Sequence, residues 1–592
     1  MTLESRIEAG LGARLGVGRR GWRGPLLAAL VAMIAGLPGL MFLPPMDRDE
    51  SRFAQATAQM LETGDYVAPH YQDQPRFKKP VGIHWLQAAS VSVLSSPEDR
   101  QIWAYRIPSL LGAMLAAAAC AWGAAAFFGP RQGLVAGAIL GACQILAFEA
   151  GIAKTDAVLC GTTTLAMAAF ARIYFASRGG PPTGRRTQLL FWLGLAGATL
   201  DKGPIGPLVV LLAGLTLWGA DRKAPWAAKL GWGWGLILFS IIVLPWAAAV
   251  TVATDGTFWS AAVGGDLAPK LMGGHESHGA PPSYYTLMLP LLIFPAVMLL
   301  PAAVVAGWKN RAEPGVRFAL AWLLLPWLMF ELLPTKLPHY TLPMYGAVAW
   351  LMAASLSQPQ GKVTRITGAV LSGLMGLVFA ILTIALTIQY GGAGDMTWGA
   401  LTATLFLAAG IAGAVLLARG APLAALVTAG GLAVIAHGAF FGGFGPGLGP
   451  LWTSQRIVGA LNTAGLNPRL GVTAGPVEIA GYAEPSLVFA LGTKTGLGDG
   501  ADAADAIALG RPAVVEKRQQ PAFDKAMAAL GLTPHPAGVV TGKDYSNGDD
   551  VSLTLYRGEP QHGSASDGPQ DPDRRSGRPR RPAEREGHSR RP

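Results

Sequence analysis

The chain has 592 residues, of which 51% are hydrophobic and only 14% are charged, against about 25% charged residues in soluble domains. This composition argues against a soluble enzyme, a collagen and a disordered scaffold, and it predicts a polytopic α-helical membrane protein. The net charge of +11 would fit nucleic-acid binding, but Lys and Arg are distributed as membrane topology requires, so we expect no nucleic-acid partner. The three cysteines lie in apolar runs and predict neither a disulfide framework nor a zinc site.

Thirteen apolar runs are predicted to cross the membrane, because about 20 helical residues span a hydrocarbon core of about 30 Å. The predicted spans are 25–45, 101–127, 131–149, 154–176, 187–200, 203–219, 228–253, 283–306, 316–333, 338–356, 363–388, 397–418 and 421–443. The fifth and sixth are short and flank Asp201-Lys202-Gly203-Pro204, so one long broken helix is an alternative. Residues 81–94 are too few to span and predict an interfacial helix.

Positive charges occupy alternate loops, which predicts the orientation of the spans because cytoplasmic loops are enriched in Lys and Arg. With the N-terminal arginines, these charges are Arg131, Arg178, Arg185, Arg186, Arg222, Lys223, Lys229, Lys309, Arg311, Arg317, Lys362, Arg365 and Arg419. Residues 1–24 are therefore predicted as a basic cytoplasmic N-terminus. Residues 25–450 form the transmembrane domain, with outer loops 46–100 and 254–282, and thirteen spans place the C-terminus outside.

The composition changes after the last predicted span. Residues 451–558 alternate helical and extended patterns and predict a small α/β domain outside the membrane. Within it we predict helices over 453–464 and 521–530, and strands over 470–474, 487–491, 513–515 and 552–556. Residues 559–592 are rich in Pro, Gly, Ser and Arg, which predicts a disordered basic tail.

The first outer loop holds the most informative polar residues. Asp49 and Glu50 follow the first span closely, and Lys78 and Lys79 precede the interfacial helix. Transfer from a phosphate-linked donor needs such a set, since a carboxylate takes the proton of an acceptor hydroxyl and cations hold the departing phosphate. The structural alternative remains open: Asp49 would cap a helix beginning at Glu50, and the lysines would contact lipid headgroups.

This loop resembles the first periplasmic loop of the lipid A aminoarabinose transferases. The resemblance rests on Asp49-Glu50-Ser51-Arg52-Phe53-Ala54, the Gly64-Asp65 turn, and Lys79-Pro80 followed by Trp85. It extends over most of residues 25–450 and includes Lys154-Thr155-Asp156, Lys202-Gly203-Pro204 and Lys336-Leu337-Pro338-His339-Tyr340. The wider superfamily is that of the GT-C glycosyltransferases, which includes the protein O-mannosyltransferases. It implies a helical GT-C membrane fold of about thirteen spans.

The resemblance implies an inverting transfer of a sugar from a polyprenyl-phosphate donor at the periplasmic face of a bacterial inner membrane. The acceptor would be a lipid A-like glycolipid, a polysaccharide or a protein. Asp49 matches the family's catalytic aspartate and Asp156 its second acidic position, although Asp156 could also be a helix N-cap. Glu50 would support Asp49 or act as a first-turn acid. Membrane lipids complete the expected partners.

Substrate-binding residues follow from the same resemblance. The candidates are Arg52, Lys79, Lys202, Lys270, Lys336, His339 and Tyr340. Arg52 would pair with either neighbouring carboxylate, and the lysines would bind the lipid phosphate, with snorkelling to headgroups as the alternative. His339 and Tyr340 would hydrogen-bond a sugar hydroxyl or satisfy backbone groups at a broken helix end.

A divalent metal is a possible cofactor at the outer loop 254–282. The candidate ligands are His275, Glu276 and His278, but a loop without metal is the preferred interpretation. Lys78 stands where the aminoarabinose transferases carry Glu, which argues against both a metal and the same sugar. A transporter or flippase of a lipid-linked solute is the competing class. It predicts charges at the bilayer midplane and inverted repeats, whereas the acidic residues here concentrate near one face.

Overall fold

The computed structural model describes residues 21–269, 279–544 and 547–558. The longer helices of the first half are α1 (Arg23–Phe42), α2 (Asp49–Thr63), α3 (Gly82–Leu94), α4 (Ile102–Phe128), α5 (Pro130–Ala142), α6 (Gln144–Ala150), α7 (Asp156–Ala176), α8 (Arg185–Lys202), α9 (Ile205–Asp221) and α10 (Trp232–Ala253). Those that follow are α11 (Tyr284–Leu292), α12 (Leu300–Lys309), α13 (Pro314–Leu332), α14 (Tyr345–Ser355), α15 (Lys362–Tyr390), α16 (Asp395–Ala418) and α17 (Pro422–Ala439).

Eight helices among the described residues are long and apolar enough to cross a membrane, and two bent helix pairs raise this number to ten. The bends are 63° between α5 and α6 and 118° between α11 and the helical segment that includes α12. The chain is therefore a multi-pass membrane protein. Each of the thirteen predicted runs contains helix, but α8, α9 and α14 are too short or too polar to count by the same standard, so the number thirteen stays a prediction.

The predicted interruption near Asp201 is present. α8 ends at Lys202 and α9 begins at Ile205. Gly203 has φ +64°, a conformation that residues with a Cβ rarely adopt. Pro204 lacks the N–H that would continue the helical ladder. The break places Lys202 at the end of a helix, beside the first outer loop.

A small α/β region follows the membrane helices. Its helices are α18 (Thr453–Thr463), α19 (Pro485–Leu491), α20 (Gly500–Ala508) and α21 (Gln520–Ala529). A hairpin in the first outer loop supplies β1 (His70–Tyr71) and β2 (Gln74–Pro75), and the α/β region supplies β3 (Glu478–Ala480), β4 (Gly496–Gly498), β5 (Ala513–Glu516), β6 (Pro536–Lys543) and β7 (Asp550–Tyr556). The five-stranded sheet has the order β4-β3-β5-β7-β6, in which β3 is parallel to both of its neighbours and the other pairs are antiparallel.

Two predicted strands of this region are wrong. Residues 487–491 belong to helix α19, and residues 470–474 form no strand. A short apolar run fits a strand or a buried helix equally well, and Pro485 in the first turn of α19 favours the helix. The two predicted helices and the strands at 513–515 and 552–556 agree with α18, α21, β5 and β7. The predicted tail, 559–592, lies outside the described residues.

The α/β region packs on the first outer loop. The Gln72 side chain donates hydrogen bonds to the carbonyls of Thr493 and Thr495, at 3.2 and 2.6 Å. The Thr493 hydroxyl oxygen accepts from the Gln55 side chain at 2.7 Å and from Arg100 at 3.3 Å. These contacts join the α/β region to the first outer loop at helix α2 and at the β1–β2 hairpin.

Candidate active site

Glu50 anchors the start of α2 in the protein interior. Its side chain is 2% exposed, and both carboxylate oxygens accept from the Arg106 guanidinium at 2.7 Å. The backbone N–H groups of Ala153 and Met46 donate to the same carboxylate at 2.7 and 2.8 Å. These four contacts match the four acceptor positions of a carboxylate. They hold the start of α2 in place, and the role of Glu50 as a support for Asp49 or as a first-turn acid stays a prediction.

Asp49, the neighbouring residue, has the opposite environment. It is exposed and is the first residue of α2, so it does not cap a helix beginning at Glu50. Arg48 precedes it with φ +64°. Because Glu50 binds the Ala153 amide, Asp49 lies at the edge of the 150–156 segment, where it interacts electrostatically with Lys154. A carboxylate in this position can accept a proton from a bound hydroxyl.

A buried cluster of charges lies beside this carboxylate. The Lys154 ammonium is 3.0 Å from Glu149 and 3.6 Å from Asp156, and the Lys202 ammonium is 2.5 Å from Asp156. His339 completes the cluster, with Nε2 3.6 Å from Asp156 and Nδ1 3.3 Å from the Lys154 ammonium. The Asp156 side chain is 5% exposed. Ionised groups persist at this depth only when they are paired.

Asp156 therefore organises cations instead of standing free as a base. Thr155, not Asp156, occupies the N-cap position of α7, so the N-cap alternative is not observed. The Asp156 carboxylate pairs with Lys154 and Lys202, and it lies beside the His339 imidazole. One ammonium group lies at the end of α8 and the other in the loop before α7. Because both are held in place, they are suited to bind a phosphate.

Tight helix packing brings Lys79 to the same place. A Cβ on Gly82 would lie 2.6 Å from the Leu200 carbonyl oxygen, so the start of α3 rests directly on the last turn of α8. Pro80 packs against Gly203 in the same contact. Lys79 is half-buried and interacts electrostatically with His339. The Tyr340 ring lies 5.3 Å from the Lys202 ammonium and 5.2 Å from the His339 ring.

Lys336 is placed differently from the expectation. Its ammonium donates to the carbonyls of Phe330, Glu331 and Leu333 at 3.1, 2.8 and 2.6 Å. All three of its N–H groups are thus used to cap the last turn of α13, because a lysine ammonium has three donors. The ammonium is thus directed at the helix end, and the phosphate contact of Lys336 stays a prediction.

The other predicted residues divide into two groups. Arg52 is half-buried and interacts electrostatically with Tyr71. Of the two carboxylates expected to pair with Arg52, Glu50 pairs with Arg106. Lys270, His275, Glu276 and His278 lie outside the described residues. Within the described parts of the chain, no three His, Cys, Asp or Glu side chains are grouped as metal ligands would be.

Sequence reasoning missed Arg106, Glu149 and Lys154 as site residues. Arg106 lies within the long apolar helix α4, and an ionisable residue inside a span is itself a signal of function or of a buried partner. Glu149 and Lys154 flank the short turn between α6 and α7. Their proximity to Asp156 follows from that turn, which the sequence pattern alone does not define.

The α/β region contributes to the edge of this site through Asp47. Its carboxylate accepts a hydrogen bond from the Ser486 N–H at 3.0 Å. Burial raises the pKa of Asp47 to about 6, although hydrogen bonds from Ser486 act in the opposite direction. This contact joins the segment that precedes Asp49 to the start of α19.

The arrangement is a helical membrane domain with a cluster of cations and carboxylates at one end, covered by an α/β region. It is the GT-C fold, as predicted from the sequence. The crystal structure of ArnT from Cupriavidus metallidurans bound to undecaprenyl phosphate matches with a TM-score of 0.71 at 17% identity, over 90% of this chain and 97% of that chain. The same protein in the apo state matches with a TM-score of 0.68.

Sequence comparisons indicate the same relatives. A family model described as dolichyl-phosphate-mannose-protein mannosyltransferase matches residues 22–258. The undecaprenyl phosphate-alpha-4-amino-4-deoxy-L-arabinose arabinosyl transferase of Pseudomonas paraeruginosa is 30% identical over 59% of this chain and 63% of its own length. The namesake from Aeromonas salmonicida is 28% identical over 63% and 69%. The aligned part spans less than two thirds of the length of the first relative. The similarity itself confirms the predicted resemblance to the aminoarabinose transferases.

Proposed function

We propose that the chain is an inverting glycosyltransferase that moves a sugar from a polyprenyl-phosphate donor to an acceptor hydroxyl. The observation that carries this proposal is the exposed Asp49 carboxylate beside the buried Lys154–Asp156–Lys202–His339 cluster. Neither half alone is diagnostic. Together they offer a base and a phosphate site in neighbouring positions, and the names of the relatives support a lipid-phosphate donor.

The lysines hold the donor phosphate in this proposal. Lys79, Lys154 and Lys202 converge from three separate segments. Asp156 fixes the last two before the donor arrives, so little reorganisation is needed when negative charge develops on the leaving phosphate. Tyr340 provides a flat face beside Lys202 on which a sugar ring can stack.

Asp49 acts on the acceptor. The acceptor oxygen attacks the anomeric carbon from the side opposite the phosphate, and its proton passes to the Asp49 carboxylate. The bond from the anomeric carbon to the phosphate oxygen breaks, and the electron pair leaves with the polyprenyl phosphate. Glu50 and Arg106 keep Asp49 in place throughout, because their ion pair fixes the start of α2.

The topology and the domain limits belong to the same proposal. The site faces the periplasm of a bacterial inner membrane, the N-terminus is cytoplasmic and the C-terminus is periplasmic, as supported by the alternation of Lys and Arg between loops. The transmembrane domain covers 25–450 and the periplasmic domain 451–558. The acceptor is a lipid A-like glycolipid, a polysaccharide or a protein, and it approaches beneath the α/β region.

Reconstitution into vesicles tests this function against transport. Purified protein is inserted into liposomes that carry radiolabelled polyprenyl-phosphate sugars, and an extract of cell-envelope acceptors is added outside. We expect label to appear on an acceptor and polyprenyl phosphate to accumulate. Label that crosses the bilayer while remaining on its polyprenyl phosphate would contradict the proposal and favour a flippase.

A further inference from the structure

An elongated apolar cavity lies among α8, α9 and α10, away from the charged cluster. Its volume is about 510 Å³, within the range of about 300–1,000 Å³ that is common for ligand sites. It follows one face of α9 from Pro207 to Trp218, a length of about 16 Å at 1.5 Å per residue. Its walls are almost entirely aliphatic and aromatic.

The cavity opens outward along the helix surfaces. The inner wall is formed by buried rings, including Trp192 and Trp226. The rim is formed by exposed apolar side chains, namely Leu215 and Trp218 on α9 and Trp232 on α10. In a multi-pass protein, surfaces of this kind face lipid, so the cavity is accessible from the bilayer.

Cations surround the end of the cavity near the α9–α10 loop. Arg222 and Lys223 are exposed on this loop, and Arg185 and Arg186 are exposed at the start of α8. The first turn of α8 contacts the end of the α9–α10 loop, where the Gln188 side chain donates to the Lys229 carbonyl at 2.8 Å. Four positive charges therefore lie close to the mouth of an apolar groove.

These cations are not neutralised locally. Asp221, the acid beside the loop, pairs with Arg317 at 2.6 Å and with Arg178, and it accepts from the Tyr174 hydroxyl at 3.0 Å. Its side chain is 2% exposed. Among the described residues, no acidic side chain pairs with the four cations at the mouth.

We propose that this cavity binds one acyl chain of an anionic two-chain phospholipid, whose headgroup phosphate contacts Arg222 and Lys223. The lipid comes from the leaflet on the side of the basic loops, opposite the Asp156 cluster. Charge complementarity selects the headgroup, and the apolar groove along α9 holds the chain. The site is separate from the candidate active site, since the cavity is lined by residues 191–195 of α8, whereas Lys202 is the last residue of this helix.

A bound chain would also stabilise the packing of the three helices. An empty groove deprives the surrounding rings of dispersion contacts on one side. Filling it restores these contacts, so a lipid that binds only the folded protein raises its melting temperature. Neutral lipids fill the groove without the headgroup contact and are held less tightly.

Native mass spectrometry of the purified full chain tests the proposal. Delipidated protein in detergent receives phosphatidylglycerol, phosphatidylcholine or undecaprenyl phosphate at equal concentrations. We expect one phosphatidylglycerol to be retained per chain, in preference to both other lipids. The double variant Arg222→Glu, Lys223→Glu should lose about thirtyfold or more in retention, since each cation near a surface contributes about 1 kcal/mol and 1.4 kcal/mol is a factor of ten.

Two controls separate the site from general effects. The variant Lys309→Glu, Lys362→Glu reverses two exposed charges on the same side and should retain the lipid. Leu215→Trp fills the rim without a charge change and should lose the lipid, whereas Leu377→Trp on α15 should not. Gel filtration verifies that each variant is folded. Undiminished retention in both site variants, equal retention of phosphatidylcholine, or preference for undecaprenyl phosphate would overturn the proposal.

Discussion

The two ends of helix α8 carry positive charge in contrasting ways. At its last residue, the Lys202 ammonium is 2.5 Å from the buried Asp156 carboxylate and belongs to a network with Lys154 and His339. At its first residues, Arg185 and Arg186 are exposed beside an apolar cavity. One end fixes its charges with protein partners, and the other leaves them to solvent and lipid.

This contrast follows from the cost of burial. A charge removed from water needs an opposite charge and hydrogen bonds at fixed distances. A charge at the membrane surface keeps its hydration and gains modestly from each anionic headgroup. The rigid end is therefore suited to chemistry that needs oriented groups, and the exposed end to binding that tolerates motion.

The largest effect is expected when the buried pair beneath Asp49 is broken. Arg106→Met leaves Glu50 buried without a cation, and we expect a loss of about 3–5 kcal/mol in the free energy of unfolding. Thermal unfolding in detergent measures it, with Arg131→Met on the exposed surface as the control. Adding Glu50→Gln to Arg106→Met should recover part of the loss, and no recovery would contradict the account of an uncompensated charge.

The cluster itself gives the next effect. Lys202→Met removes one phosphate ligand, and we expect transfer to fall about 10²-fold or more, as when one preorganised transition-state contact is lost. Steady-state transfer of labelled sugar measures this, and Lys309→Met serves as the control. Transfer that is unchanged in Lys202→Met would remove this lysine from the site.

A larger side chain at Gly82 tests whether the packing of α3 against α8 positions Lys79. Gly82→Val places its Cβ 2.6 Å from the Leu200 carbonyl, so α3 must shift and carry Lys79 with it. We expect the apparent affinity for the donor in the transfer reaction to fall about tenfold, because misplacement of positioning groups is costly. Gly219→Ala, which meets open space, is the control. Full activity in Gly82→Val would show that Lys79 is not held by this contact.

The smallest effect concerns the seam between the outer loop and the α/β region. The pKa of Asp47 is raised to about 6 in the folded protein, so the carboxyl ionises at lower pH in the unfolded chain. The free energy of unfolding therefore falls as pH rises from about 4 to about 6. Asp47→Asn should flatten this change and add about 1 kcal/mol at pH 7.5. Melting curves at several pH values measure it, with exposed Asp99→Asn as the control. An unaltered pH profile would contradict the assignment.

Much of the membrane domain could be predicted from the sequence, because apolar runs and Gly-Pro breaks act locally. The positions of Asp49, Lys79, Asp156 and Lys202 at one end of the helices were also predictable from loop alternation. The anchoring of Glu50 by a buried cation was not. It depends on Arg106, which lies 56 residues further along the chain, and residue type alone does not reveal which carboxylate finds a buried cation.

Lys336 shows the same limit in a shorter segment. Its three carbonyl partners lie within six residues, but they become available only because α13 ends at Leu332 and the chain turns back. In the sequence, Lys79 stands one residue before Pro80 and Lys336 stands two residues before Pro338. Only the fold distinguishes a lysine that faces a charged cluster from one that caps a helix.

The central claim is that Asp49 takes the acceptor proton while the lysines bind the donor. Asp49→Asn separates these functions, and the direct measurement is donor binding and transfer by the same purified variant. We predict that it binds labelled polyprenyl-phosphate sugar with unchanged affinity and transfers it about 10²–10⁴-fold more slowly. Transfer at the wild-type rate would contradict the assignment of Asp49 as the base.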